Sequence, residues 1–463
     1  MTDILQVPKG YRFRFDGKAK PTIEDAPLPA DVRMSLMHAT GALLQPRAQT
    51  GQTVRTGEIV AASDDAPAVK LLAPITGRVS EVVQTHGKRR RLKPGCIAIE
   101  RTGDDWVVIP NASATPEEIP ADRARQMLVD GGLWPCIGQQ PANGALARLD
   151  AQPQAVVVKC VAAEPFVARG HALLAGQVEK FERALAMLQR VAAPTAKIHL
   201  VLTQPAAPLA EQIVQATKGR AWVRVHFVPV VYPVENDGYL RRVLLADEPA
   251  DLCAWFVDVQ SALAIGACLA EGRPCVERVL AVAGPSVASP IHVRARIGTR
   301  VGDVLDGRLV EGEHRLIRGG LLTGRKAEAD DGVGPLDVAL NALPEGRERE
   351  FMGFVRPGGD RDSFARAFLS KLWPDRPVAC HTNLRGEPRP CVSCGFCEDV
   401  CPADIMPHWI YKCLVTDRLE EAERTGLDRC IECGLCSYVC PSKIELLSEL
   451  RAGKQRVEEE NAE

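Results

Sequence analysis

At 463 residues the chain exceeds one ordinary domain and predicts three or four, at about 100 to 200 residues each. With 46% hydrophobic and 25% charged residues it can bury its own cores without disulfide staples. A formal net charge of −2 and a sequence pI near 6.5 carry no basic excess, which argues against nucleic-acid binding.

No run of about 18 uncharged apolar residues occurs, and the first residues (MTDILQVPKGYRFRFDGK) lack an apolar signal core, so a cytoplasmic location is expected. In chain order, GQTVRTGEIVAA (51 to 62), KLLAPITGRVSEVV (70 to 83) and GCIAIE (95 to 100) are short alternating segments broken by Gly and Pro, which predict strands of a compact β-module. The LAPITGRV turn is similar to the hairpin of biotinyl and lipoyl carriers, but Lys70 precedes the hairpin instead of standing at its tip, so the module reads as architectural. Lys88, Arg89, Arg90, Arg91 and Lys93 form a basic run, read as a solvated hairpin tip or as a docking patch for an acidic partner or anionic lipid.

Between about 120 and 285 apolar β-branched runs (Val156 to Val158, Ile198 to Leu202, Val223 to Val228, Val279 to Val282) alternate with segments of helical spacing, such as Val178, Phe181, Leu185 and Leu188. That alternation predicts a mostly parallel sheet with covered faces. Residues 286 to 325 return to short strands, with Gly319, Gly320 and Gly324 read as turn glycines, and 326 to 346 read as a Gly-rich loop or linker. The last residues, GKQRVEEENAE, read as a solvated, frayed tail.

Chemistry concentrates near the carboxyl end. Cys391, Cys394, Cys397 and Cys401 precede Pro402, and Cys430, Cys433, Cys436 and Cys440 precede Pro441, so CxxCxxCxxxCP is written twice. Three thiolates from one tight loop can hold three irons of a cubane, while the fourth, expected to open a helix, turns toward the other cluster. One [4Fe-4S] cluster is therefore assigned to Cys391, Cys394, Cys397 and Cys440, and a second to Cys430, Cys433, Cys436 and Cys401. Structural zinc also uses CxxC pairs, but rarely with a third Cys at the next step and a fourth before Pro in both halves. Four thiolates per cluster leave no open iron, which points to electron relay. Cys413, Cys380 and the remaining cysteines fall outside the register and read as ordinary thiols.

The segment from Arg385 to Leu447, with MPHWIYK and CIECGLCSYVCPSKIEL, resembles the cluster domain of the C subunit of the Rnf electron-transport complex. Upstream, GGLWPCI (131 to 137), GFVRPGGDRDSFARAFLSKLWP (353 to 374) and HTNLRGEPRP (381 to 390) resemble the A subunit of the sodium-translocating NADH:quinone oxidoreductase, a family that lacks the cluster cysteines. Together the two resemblances imply a mixed α/β and α+β multidomain fold. Its parts are a barrel-sandwich hybrid (1–115), a Rossmann-like α/β domain (116–285), a β-grasp, soluble-ligand-binding domain (286–345), and a linker plus dicluster ferredoxin-like helical domain (346–463). They further imply a peripheral subunit on the inner face of the cell membrane, part of a hetero-oligomer with membrane flavin or quinone subunits. A soluble donor (ferredoxin, a flavoprotein or NADH) would exchange electrons with it.

In the related flavin subunits a GxGGAGFPT loop cradles FMN and NADH phosphates. Here Asp130 to Cys136 reads DGGLWPC, and Trp134 and Pro135 would fill the cradle and remove an amide donor. FMN thus stays an alternative that the loop counts against, in which the chain itself oxidises NADH. A third alternative is a scaffold with structural clusters. Glu164, before Pro165, resembles the Glu-Pro pair after the flavin-site strand, which would make it a flavin or nucleotide ligand; the plain reading is a solvated turn residue.

Overall fold

The computed structural model describes residues 4–84, 95–110, 115–141, 145–204, 207–347, 352, 355, 357–365, 367–382 and 388–462. The basic run from Lys88 to Lys93 lies outside them. Among the described residues the mixed α/β multidomain architecture has four sheets, none closed into a barrel.

Alternation drives the N-terminal strands: in Asp31–Ser35, Val32 and Met34 are buried between exposed Arg33 and Ser35. A four-stranded sheet (Asp31–Ser35, Cys96–Gly103, Thr76–Val83, Thr53–Val54) and a three-stranded one (Gln45–Pro46, Ile59–Ala62, Lys70–Leu72) close over a core of Val60, Val79, Ile97 and Ile99. Lys70 pairs with Asp130 at 2.9 Å and so ties this barrel-sandwich unit to the next domain.

Strands Ala254–Asp258, Ala155–Lys159, Lys197–Leu202 and Val223–Phe227 lie parallel in that spatial order, with Ile137–Gln140 antiparallel at the Ala254–Asp258 side. Their unbroken apolar runs suit burial on both faces. One face is covered by helices Ala121–Asp130, Val178–Val191 and Val259–Glu271. Phe181, Ala184, Leu185, Leu188 and Val191 form the buried stripe of Val178–Val191, and Gly266 lets the facing helix approach so closely that a Cβ would stand 2.5 Å from the Lys180 carbonyl oxygen. The opposite face, with Val157, Val201, Phe256 and Leu240, shares one apolar core with Cys401, Ile405, Cys433 and Leu435 of the carboxyl-terminal module. The α/β sheet is therefore the platform on which the cysteine loops rest.

Two expectations differ from the structure here. Val279 to Val282 belong to Glu277–Ala283, which pairs not with the parallel sheet but inside the next one, ordered Ile23–Asp25, Ile291–Arg296, Glu277–Ala283, Ala339–Pro344, His314–Arg318, Arg325–Ala327. The stretch read as linker supplies Ala339–Pro344, buried except at its last residue, because its apolar run ALNAL finds partners on both edges. Gly and Asp around it hid the strand.

The carboxyl-terminal tail also differs: Leu446–Ala462 is a 17-residue helix packed on Pro407–Val415, with Gly453 against Leu414. Between the two cysteine loops lie Pro407–Val415 and Leu419–Arg424, and Asp417, left-handed at φ 60°, turns the chain between them. None of the described helices is long and apolar enough to cross a membrane.

Candidate iron–sulfur centres

The two cysteine loops place left-handed residues at three matched positions. Ser393 and Glu432 are left-handed (φ 52° and 56°), as are Gly395 and Gly434 (φ 80° and 76°) and Asp404 and Lys443 (φ 52° and 60°). Non-glycine residues adopt that region rarely, so its recurrence at matched positions marks loops bent to a common purpose. Gly395 and Gly434 open the short helices Phe396–Asp399 and Leu435–Val439, which carry the third cysteine of each loop. The fourth follows these helices instead of opening one. Cys401 and Cys440 come just after the helix ends and are turned away by the Pro that follows, which cannot extend a helix.

The structure brings the eight cysteines together in two sets. Cys391, Cys394 and Cys440 face Cys397; Cys401, Cys430 and Cys433 face Cys436, and Cys397 of the first set packs against it where the two sets meet. Each set takes three sulfurs from one loop and one from the other. The second set lines a small cavity whose remaining wall is largely apolar, including Pro402, Ile405, Leu435 and Leu450. Among the described residues no three His, Cys, Asp or Glu side chains form a compact single-ion site. Two four-sulfur sets, the second with an apolar lining, are a donor arrangement that suits cubane clusters.

Burial pushes the thiols up, Cys397 to about 11 and Cys433 to about 12, so bare sulfurs would stay protonated; an iron cluster reverses this, since coordination demands thiolate. Backbone amides are already aimed at them, from Glu432 to Cys430, Leu435 to Cys433 and His408 to Cys397. Such bonds stabilise negative sulfur and tune potential. The His408 ring also stands 3.8 Å from the Cys397 sulfur. Cys413 is fully buried and outside both sets.

Environment separates the sets. Cys394 is exposed and Cys391 and Cys440 half-buried, whereas all four of Cys401, Cys430, Cys433 and Cys436 are buried. The inner loop is bolted to the body: the Tyr232 hydroxyl donates to the Cys433 carbonyl (2.5 Å) and Asn236 to the Ile431 carbonyl (2.9 Å), while Arg242 donates to the Pro402 carbonyl at the end of the first loop (2.9 Å). Glu432 is held by Arg451 (2.8 Å) and Lys454 (3.2 Å) from the last helix. No sequence motif marked Tyr232 or Asn236, because the carbonyls they bond lie about 200 residues further along the chain.

Glu164 is half-buried between domains. Its carboxylate accepts from the amides of Leu322 (2.8 Å) and Thr323 (2.9 Å) and from the Thr323 hydroxyl (2.9 Å), and Gly320 is bare because a Cβ there would land on that carboxylate. Gly434, in turn, stands beside Leu322, its would-be Cβ 3.2 Å from the Leu322 carbonyl oxygen. The glycines of RGGLLTG thus serve a turn folded over Glu164, which links the α/β domain, the following sheet and the inner cysteine loop. A flavin or nucleotide at Glu164 would have to displace these bonds.

Residues 131 to 136 do not fit FMN. Trp134 is fully buried, donates to the Ala147 carbonyl (2.7 Å) and packs edge-on against Trp255 at 5.5 Å. A Cβ on Gly132 would meet Leu72 at 2.9 Å, and one on Gly131 would meet the Cys268 sulfur at 3.0 Å, so both glycines face protein where a phosphate cradle needs open space. At the ends of Ala155–Lys159 and Ala254–Asp258, where open α/β sheets hold ligands, Lys159 pairs with Asp237, and Asp258 caps its helix through Ser261 (3.0 Å). That crevice is filled by internal pairs.

A barrel-sandwich, an α/β domain and a ligand-binding-type sheet carrying paired ferredoxin-type cysteine loops define an iron–sulfur subunit of an oxidoreductase. Residues 5–100 match the NqrA N-terminal barrel-sandwich hybrid domain, 119–274 the NqrA second alpha/beta domain, 279–329 the NQRA C-terminal (SLBB) domain and 383–441 the 4Fe-4S dicluster domain. The chain is built of NqrA-family domains followed by a 4Fe-4S dicluster domain. It is similar to the A subunits of the Na(+)-translocating NADH-quinone reductases of Yersinia pseudotuberculosis (26% identical over 434 residues) and Cellvibrio japonicus (28% over 430), each alignment covering 91% of this chain and 92% of the relative.

Proposed function

We propose that this chain is a peripheral subunit of an Nqr-like NADH–quinone oxidoreductase, relaying single electrons through two [4Fe-4S] clusters. One would be held by Cys391, Cys394, Cys397 and Cys440, the other by Cys401, Cys430, Cys433 and Cys436. The unequal exposure of the two sets carries this reading: one reaches the surface at Cys394 while the other is buried against the α/β domain, so the pair leads from an external contact into the body. When bound, the clusters supply one-electron storage; the chain supplies thiolates, amide donors and an apolar wall that excludes water. The outer face suits a soluble one-electron partner, and membrane flavin or quinone subunits at the inner face of the cell membrane would complete the route. The filled crevice and the buried Trp134 favour this relay over an FMN-bearing dehydrogenase.

Rapid mixing of the anaerobic intact complex tests it. Both clusters are expected to be reduced by a one-electron donor and reoxidised by quinone within a turnover, with Cys394→Ala blocking passage. Clusters that stay oxidised during turnover would leave a scaffold and contradict the relay.

A further inference from the structure

One buried carboxylate beside the inner loop is not used by the relay as described. Glu235 lies between Tyr232 and Asn236, both of which bond to carbonyls of the Cys430 to Cys433 loop. Its Oε1 accepts from the amides of Ala163 (3.0 Å) and Glu164 (2.5 Å), but Oε2 is closed off from solvent with no hydrogen-bond partner. Glu164 shares the space and is supplied differently, its oxygens accepting from two amides and a hydroxyl.

Two carboxylates in one low-dielectric space resist joint ionisation, and a proton relieves most at the oxygen that no donor serves. Burial and the neighbouring Glu164 push Glu235 up to about 7. The other charged groups facing the pair are Lys159, already paired with Asp237, and Arg451, already paired with Glu432. Tyr232 is held as the neutral phenol by burial and by both carboxylates. Lys159 and Arg451 are thus both engaged by other carboxylates, and neither bonds Oε2.

Resting on the reading that Cys401, Cys430, Cys433 and Cys436 hold a cluster, we propose that Glu235 is a proton-binding site linked to that cluster's reduction. As one electron from the donor enters the cluster, one proton from water bonds to Glu235 Oε2, and on reoxidation both leave. The charge of the buried region is then the same before and after.

Redox titration of the anaerobic full-length chain, followed by electron paramagnetic resonance from about pH 6 to about pH 9, reads this directly. One midpoint potential is expected to fall above neutrality by up to about 59 mV per pH unit, the equivalent of a tenfold change per unit for one electron. The other changes little, and Glu235→Gln flattens the first. A chain that binds no clusters overturns the underlying reading. Two clusters with flat potentials, or a slope that persists in cluster-loaded Glu235→Gln, overturn the proposal alone. Should that variant fail to load, the reduced-minus-oxidised infrared spectrum of the unaltered chain decides: a protonated-carboxyl band appearing on reduction supports the site, and its absence overturns it.

Discussion

Replacing Cys433 with Ala is expected to strip the inner cluster and loosen the whole cysteine module from the body, whereas Cys394→Ala strips the outer cluster and leaves the fold standing. Each variant should lose about half of the iron, because each set supplies four thiolates to one cubane. Stability divides them. Around Cys433 the apolar core is continuous with the α/β sheet through Val157, Phe256, Ile405 and Leu435, and Tyr232 and Asn236 are anchored on that loop. Losing the cluster there leaves an apolar-walled void under the anchor and buried polar groups that must find new partners. Cys394 is exposed, so removing its sulfur uncovers little buried surface. The expected costs are about 4 kcal/mol or more for Cys433→Ala and about 1 kcal/mol or less for Cys394→Ala. At roughly 2 to 4 °C per kcal/mol for a unit of this size, thermal melting should separate the variants by roughly 10 °C. Equal melting points would mean that the inner loop is not what holds the module in place.

Glu164→Ala is expected to cost about 3 to 5 kcal/mol, the range for breaking a buried charged network. The loss leaves the amides of Leu322 and Thr323 without their acceptor, inside a junction where three parts of the chain meet. Gly320→Ala should be destabilising by about 1 to 3 kcal/mol on its own, because its methyl group has no room beside the carboxylate. In the double variant that clash is gone. The two losses should therefore sum to more than the measured total, with a coupling of about 0.5 to 3 kcal/mol by chemical denaturation. Strict additivity would show that the carboxylate does not sit over Gly320.

Much of the candidate site was legible in the sequence because cluster ligation is local: the CxxCxxC spacing sets the loop and the following Pro ends it. Strand and helix alternation likewise announced the α/β sheet, since buried parallel strands must be apolar along their length. What stayed hidden depends on long-range pairing. Glu277–Ala283 has the composition of an α/β strand, and only its partners Ile291–Arg296 and Ala339–Pro344 place it in the next sheet. Leu446–Ala462 looks polar because half its surface is solvent; its helix is stabilised by Leu446 and Leu450 packing inward. Glu164 had the look of a solvated turn, and the amides that donate to it lie about 160 residues away in sequence. Tyr232, Asn236 and Glu235 gain meaning only from the loop they touch.

Everything here turns on sulfur ligation of two iron cubanes. Quantifying iron and acid-labile sulfide in the anaerobically isolated chain, with Mössbauer spectra on the same material, examines that most directly: about eight of each per chain, all in tetrahedral sulfur coordination, is the predicted result. Zinc in place of iron, or iron without matching sulfide, would contradict it.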